Sequence, residues 1–224
     1  MKYAKFFAFS LSLLALLAVG CSNPFAPKKR KPDPTQTQQP APPATTPEIL
    51  LDNLNRAMND RDKDLYETLL DPAYWFTETN CLGEVVFENG RETELAIMGG
   101  SRDGAKAGIF TKFRTFEYEF SLISRSVELG RDYPKAFTGD VDGHPDEDWV
   151  VFRGRVNMLI IDENNDGFRV EQVMNFKMRQ GKDGLWRIIR WIDDPLSGGT
   201  ECGSAAQGKP VAEGRVSWAE VKKG

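Results

Sequence analysis

Apolar residues recur along this chain in three rhythms. From Phe6 to Val19 they run almost unbroken, interrupted only by Ser10 and Ser12. From Leu50 they return at helical spacing, with Leu50, Leu54, Ala57 and Met58 forming one stripe. After Thr115 the period drops to two, and apolar positions alternate with charged ones over three long stretches.

The helical stripe begins at Thr46-Pro47-Glu48, where proline takes the first turn because its missing N–H would be unpaired there anyway. The polar run Asn59 to Lys63 ends it. A second short helix is predicted from Asp64 to Leu70, stopping at Asp71-Pro72. Tyr74 to Glu78 and Glu84 to Glu88 read as short strands, and Glu92 to Met98 as a short helix before Gly99-Gly100. The long strands then present one apolar face: Phe116, Tyr118, Phe120, Phe152, Val156, Met158, Phe168, Val170, Met174 and Phe176, with Gln172 as its main polar break. Their other face carries Glu117, Glu119, Arg153, Arg155 and Glu171. A last strand, Leu185 to Ile192, follows the turn Gly181-Lys182-Asp183-Gly184. Strands with one apolar face need a cover, and the leading helices are the natural one. The expected class is α+β, a curved antiparallel sheet packed on N-terminal helices.

Four regions follow. Residues 1–20 are a leader, with Lys2 and Lys5 ahead of an apolar run too short for a comfortable span of about 20 residues. Residues 21–47 are a tether: positions 22–47 hold eight of the thirteen prolines and almost no apolar side chains, so ordering them gains too little burial. In polyproline II geometry that tether reaches roughly 80 Å. Residues 48–195 form the folded domain, and 196–224, rich in Gly, Ser and Lys, are expected to be irregular despite Trp218. Two readings stay open for Lys28-Lys29-Arg30-Lys31: contact with anionic headgroups, or a soluble basic linker.

Ala18-Val19-Gly20-Cys21 resembles the lipobox of bacterial lipoproteins, with Ala18 where leucine is commoner. The resemblance implies cleavage before Cys21, a diacylglyceryl group on its sulfur and acylation of the new amino terminus. It places the domain in the cell envelope, extracytoplasmic and held to a membrane by lipid, with the outer membrane favoured in a Gram-negative host because Ser22 follows the cysteine. The order of elements across residues 48–195, opening with Asn59-Asp60-Arg61-Asp62-Lys63-Asp64-Leu65-Tyr66 and closing with Leu185-Trp186-Arg187-Ile188, Trp191 and Asp193, resembles the NTF2-like superfamily. That resemblance implies a cone whose concave sheet and helices enclose an apolar pocket. Its members include isomerases and dehydratases as well as binding and scaffolding domains.

Catalytic members place a carboxylate inside the cone, where burial lifts its pKa. No Asp or Glu falls in register on the inward face of the long strands, so core packing is the better reading of that stripe, and no catalytic residue is assigned. The expected function is a non-catalytic ligand-binding or assembly module, with a small apolar ligand, a homodimer or an envelope partner. The alternatives are a lyase or isomerase with a carboxylate supplied by the helices or short strands, and calcium-assisted surface contact. Tyr66, Trp75 and Tyr118 are the candidates for the pocket mouth, since such rings pair area with a polar handle. His144, the only histidine, lies in a polar loop and is expected to be solvated. Asp140, Asp142, Asp146 and Asp148 of that loop are candidate calcium ligands, while Asp162, Asn164 and Asp166 start like an EF-hand loop but meet Val173 at its twelfth position. No cofactor is indicated. With Cys21 lipidated, Cys81 and Cys202 remain as an even pair, expected to form a disulfide in an oxidising compartment. The chain without its leader carries 27 basic and 33 acidic residues, which argues against nucleic acid.

Overall fold

Helix α1, Pro47–Asp60, starts on Thr46, whose hydroxyl accepts from the Ile49 amide at 3.3 Å, and ends where Arg61 turns left-handed at φ 56°. Its apolar stripe is fully buried: Leu50, Leu54, Ala57 and Met58 have no exposed surface. Asp62 caps helix α2, Lys63–Leu69, by accepting from the Asp64 and Leu65 amides. The computed structural model describes residues 40–80, 82–101, 103–164, 166–194 and 216–223. The expected leader, Cys21, most of the tether, Cys81 and Cys202 lie outside the described residues.

The remaining elements are β1 (Leu70–Thr79), β2 (Val85–Gly90), α3 (Arg91–Gly99), α4 (Ile109–Lys112), β3 (Thr115–Glu128), β4 (Trp149–Ile161), β5 (Gly167–Gln180), β6 (Trp186–Asp193) and α5 (Trp218–Lys223). Six strands make one sheet in the order β2-β1-β6-β5-β4-β3. The expected α+β class holds, with one correction: β1 and β6 run parallel, so the sheet is mixed and not wholly antiparallel. The strands β3 to β6 form the meander, and β1 closes against β6.

Bulges redirect side chains at several points in this sheet. In β6 the register shifts between Met178↔Ile188 and Lys177↔Arg190, so Ile188 and Trp191 both face the core although they are three residues apart. In β3 a shift between Leu122 and Ser124 ends the buried alternation, and Leu122 and Ile123 are about half exposed. The outer edge of β3 is partly closed by α1: the Asn59 amide donates to the Tyr118 carbonyl at 2.8 Å and accepts from the Tyr118 N–H at 2.9 Å, standing in for a neighbouring strand.

Three expectations about loops and termini change. Residues 41–46 pack on the domain ahead of α1: the Pro42 carbonyl accepts from the Asn53 side chain at 2.7 Å, and the Trp186 amide donates to the Ala44 carbonyl at 2.7 Å. The tail is not irregular throughout, because Trp218–Lys223 is a helix. His144 is not solvated. Its ring is stacked between Tyr133 (centroids 4.8 Å apart) and Trp149 (3.7 Å), and only 3% of the residue is exposed. Arg190 covers the same Trp149 ring, so the loop between β3 and β4 is pinned to the sheet by a stack of planar groups.

Gly154 of β4 leaves room for Phe120 across the β3 bulge. A Cβ there would collide with the Phe120 ring and come within 2.8 Å of the Ser121 carbonyl oxygen. Gly154→Ala is therefore expected to lower stability by about 1–3 kcal/mol in urea unfolding, and adding Phe120→Leu should recover part of that loss. An unchanged midpoint in the single variant would contradict this packing.

Candidate functional site

The inward faces of β1, β5 and β6 meet helices α2, α3 and α5 in an interior that is apolar in outline and charged at its centre. From α3, the Glu94 carboxylate projects inward with no exposed surface. One of its oxygens accepts from the Tyr66 hydroxyl at 2.8 Å; the other accepts from the Asn89 amide at 3.0 Å and from the Lys222 ammonium at 2.9 Å. Both side chains of the Lys222–Glu94 pair are fully buried. The Lys222 nitrogen also lies 3.3 Å from the centroid of the Phe76 ring, 5.2 Å from Trp191 and 5.3 Å from Trp218.

Two more carboxylates share this space. Asp193, at the end of β6, has no exposed surface; one oxygen accepts from Trp191 Nε1 at 2.8 Å and the other has no hydrogen-bond partner. Glu78, from β1, accepts from the Ser217 hydroxyl at 3.2 Å. Burial pushes the Asp193 carboxyl well above its ordinary value of 3.8, the Lys222 ammonium pulls it back, and the Glu78 charge adds to the rise. Burial likewise raises Glu78 and lowers Lys222, whose neighbours Glu94 and Asp193 oppose the drop. The hydroxyls of Tyr74 and Tyr118 are buried without a partner, and both feel the charge of Asp193 after the larger effect of burial, Tyr74 that of Glu94 as well.

Helix α5 is what closes this interior. Ser217 and Glu220 cap it reciprocally, the Ser217 amide donating to the Glu220 carboxylate at 3.0 Å and the Glu220 amide to the Ser217 hydroxyl at 3.1 Å. Trp218 is fully buried, its amide donates to Gln172 at 3.1 Å, and its ring stacks on Trp191 with centroids 6.5 Å apart. The polar break in the strand stripe, Gln172, is thus the receptor for the terminal helix.

Of the three pocket-mouth candidates, the structure brings together Tyr66 and Tyr118, both buried in this interior. Trp75 lies on the opposite face of β1 from the inward Tyr74 and Phe76, where its ring nitrogen donates to Glu88 at 3.2 Å. Sequence reasoning missed Glu94, Asp193, Glu78, Tyr74 and Lys222. Glu94 stands four residues before buried Met98 on the same helical face, and Ser217-Trp218-Ala219-Glu220 carries the spacing of a capping box. Both are readable signals.

The candidate calcium ligands do not converge. Asp140 accepts from the Ala136, Asp142 and Gly143 amides and Asp148 from that of Gly130, while Asp142 faces Lys177 and Arg190. Among the described residues no three His, Cys, Asp or Glu side chains are grouped to hold a metal ion. A hollow of about 830 Å³ outside the cone, between Glu67, Arg91, Arg179, Lys182 and Arg187, has its three arginines already engaged: Arg179 by Asp71 and Glu147, Arg187 by Asp183, Arg91 by Glu67. The charged face carries a groove of about 390 Å³ along Glu117, Glu119, Arg169 and Glu171.

Because the folded chain holds the Asp193 proton more tightly than the unfolded chain, the carboxylate costs stability at pH values above both titrations, and that cost fades as pH falls towards the unfolded value. Asp193→Asn should therefore raise the melting temperature at pH 7, by about 2–4 °C for each kcal/mol relieved, and match the parent chain below about pH 4. Melting curves across pH check this; a variant less stable than the parent at pH 7 would contradict it.

No protein-family model matches this sequence, and no curated protein matches it. Solved structures do. A putative aromatic ring hydroxylase from Novosphingobium aromaticivorans is 14% identical, with a TM-score of 0.45, covering 69% of this chain and 91% of its own. An NTF2-like superfamily protein from Salmonella enterica serovar Typhimurium is 11% identical at 0.42, covering 72% and 92%. An NTF2-like protein of unknown function in nutrient uptake from Rhodospirillum rubrum is 16% identical at 0.41, covering 66% and 97%.

Proposed function

We propose that the chain is a lipid-anchored protein of the cell envelope whose cone serves as a non-catalytic binding module. The observation that carries this reading is the Lys222–Glu94 pair at the centre of the cone, with neither side chain exposed. A catalytic carboxylate has to meet a substrate, whereas here Glu94 already has three partners from its own chain and Asp193 has no exposed surface. The interior sets aromatic rings and charged groups side by side beneath a terminal helix of six residues, the mix of apolar lining and few polar groups that binding sites use. The anchor is the reading of Lys2, Lys5, the apolar run and Cys21; two or three acyl chains would hold the domain stably.

A second reading, a lyase or isomerase, draws on the unpartnered Asp193 oxygen among the Tyr74 and Tyr118 hydroxyls, a set able to move a proton once α5 is away.

Native mass spectrometry of the chain extracted from its host membrane tests the two. The binding reading predicts added mass on the cysteine-terminated mature chain from acylation, lost in Cys21→Ala. It also predicts a non-covalent compound that is recovered unchanged after incubation. A chain carrying no compound would overturn it, and a compound converted in the parent but not in Asp193→Asn would establish the second reading instead.

A further inference from the structure

We infer that the ligand of the cone is an organic ammonium, and that Lys222 is the chain's own occupant of the ammonium site. This deepens the binding-module reading and rests on it.

The surroundings of the Lys222 nitrogen are those of a cation receptor. Rings of Phe76, Trp191 and Trp218 stand around it, the nearest centroid at 3.3 Å, and the Glu94 carboxylate accepts from it at 2.9 Å. Desolvated cations gain most from such rings, and quaternary and primary ammonium groups are the ligands they select. Phe76, Trp191 and Glu94 belong to β1, β6 and α3, so these walls stay in place if α5 withdraws, and only Trp218 leaves with Lys222.

The charge balance is the second observation. Glu94 and Asp193, both without exposed surface, face the Lys222 ammonium, and Glu78, held by Ser217 beside them, is balanced by Lys223. Lys222 hydrogen-bonds to only one of them. The second Asp193 oxygen and the Tyr74 and Tyr118 hydroxyls are buried without a hydrogen-bond partner from the described protein, polar atoms that a ligand can satisfy. An anion gains nothing here, and a neutral apolar ligand leaves Glu94 buried without a counter-charge. A primary ammonium on an alkyl stem, the chemistry of Lys222 itself, satisfies the rings and Glu94 together. A second amino group on that stem suits Asp193.

An internal occupant lowers the apparent affinity of any ligand by the fraction of molecules in which the site is open. That gives a signature a purely structural ion pair lacks. Calorimetric titration of the full chain with cadaverine is expected to show binding, with a Kd at least tenfold lower in Lys222→Met and no binding in Glu94→Gln. n-Pentanol, the matched neutral stem, should not bind. In the parent chain, cadaverine should also raise the acylation rate of Lys222 at least tenfold as the ammonium leaves the cone, a readout that needs no variant to fold. The inference is overturned if cadaverine fails to bind both parent and Lys222→Met, if n-pentanol binds as well as cadaverine, or if Lys222 acylation does not respond. An uncharged compound found in the cone by native mass spectrometry would overturn the ammonium assignment while leaving the binding module standing; a chain that carries no compound ends both.

Discussion

A charged lysine and a charged glutamate, both without exposed surface, face each other at 2.9 Å in the middle of this domain. Removing two such ions from water costs several kcal/mol each even after the protein relaxes. Their mutual attraction at an effective dielectric of about 20 returns about 6 kcal/mol, of the same order as that cost. Further support comes from the company they keep. Tyr66 and Asn89 donate to Glu94, and the Phe76 ring lies against Lys222. The pair therefore demands that α2, β2, α3, β1 and α5 all be in place at once, and the arrangement of the cone can be read as the means of meeting that demand.

Each support has a local origin. Thr46 and Asp62 set the starts of α1 and α2, which brings Tyr66 to the interior. The bulge in β6 turns Trp191 inward, and Asp193 follows two residues later on the same face. Gln172 of β5 receives the Trp218 amide, and Ser217 links α5 to Glu78 of β1. The terminal helix is six residues long, below the length at which a helix holds itself in water. Its order comes from what it touches, so entry of Lys222 into the cone and folding of α5 are one event.

The sheet and the leading helices could be read from the chain because their signals are periodic. Leu50, Leu54, Ala57 and Met58 repeat at helical spacing, and Phe152 to Met158 and Val170 to Phe176 alternate, and the structure buries them as that spacing requires. The site could not be read this way. A single buried charge such as Glu94 looks in sequence like a solvated helix position, and its inward direction shows only through Met98 one turn later. Asp193 sits one residue past the expected strand end, and the β6 bulge breaks the alternation that would have assigned it inward. Lys222 lies in a stretch whose Gly and Lys content spoke for irregularity, although the Ser217–Glu220 cap was there to be seen. His144 was misplaced for a related reason: its polar neighbours suggested water, while the stacking partners Tyr133 and Trp149 lie at either end of the loop.

The proposed binding module, closed on an ammonium of its own, makes the state of Lys222 the quantity to observe. Nitrogen-detected NMR of the lysine ammonium groups at neutral pH addresses it directly. The account predicts one ammonium whose protons exchange slowly enough to be seen at 25 °C and whose signal disappears in Lys222→Met. If every lysine ammonium exchanges as rapidly as a solvated side chain, the closed pair at the centre of the cone is contradicted.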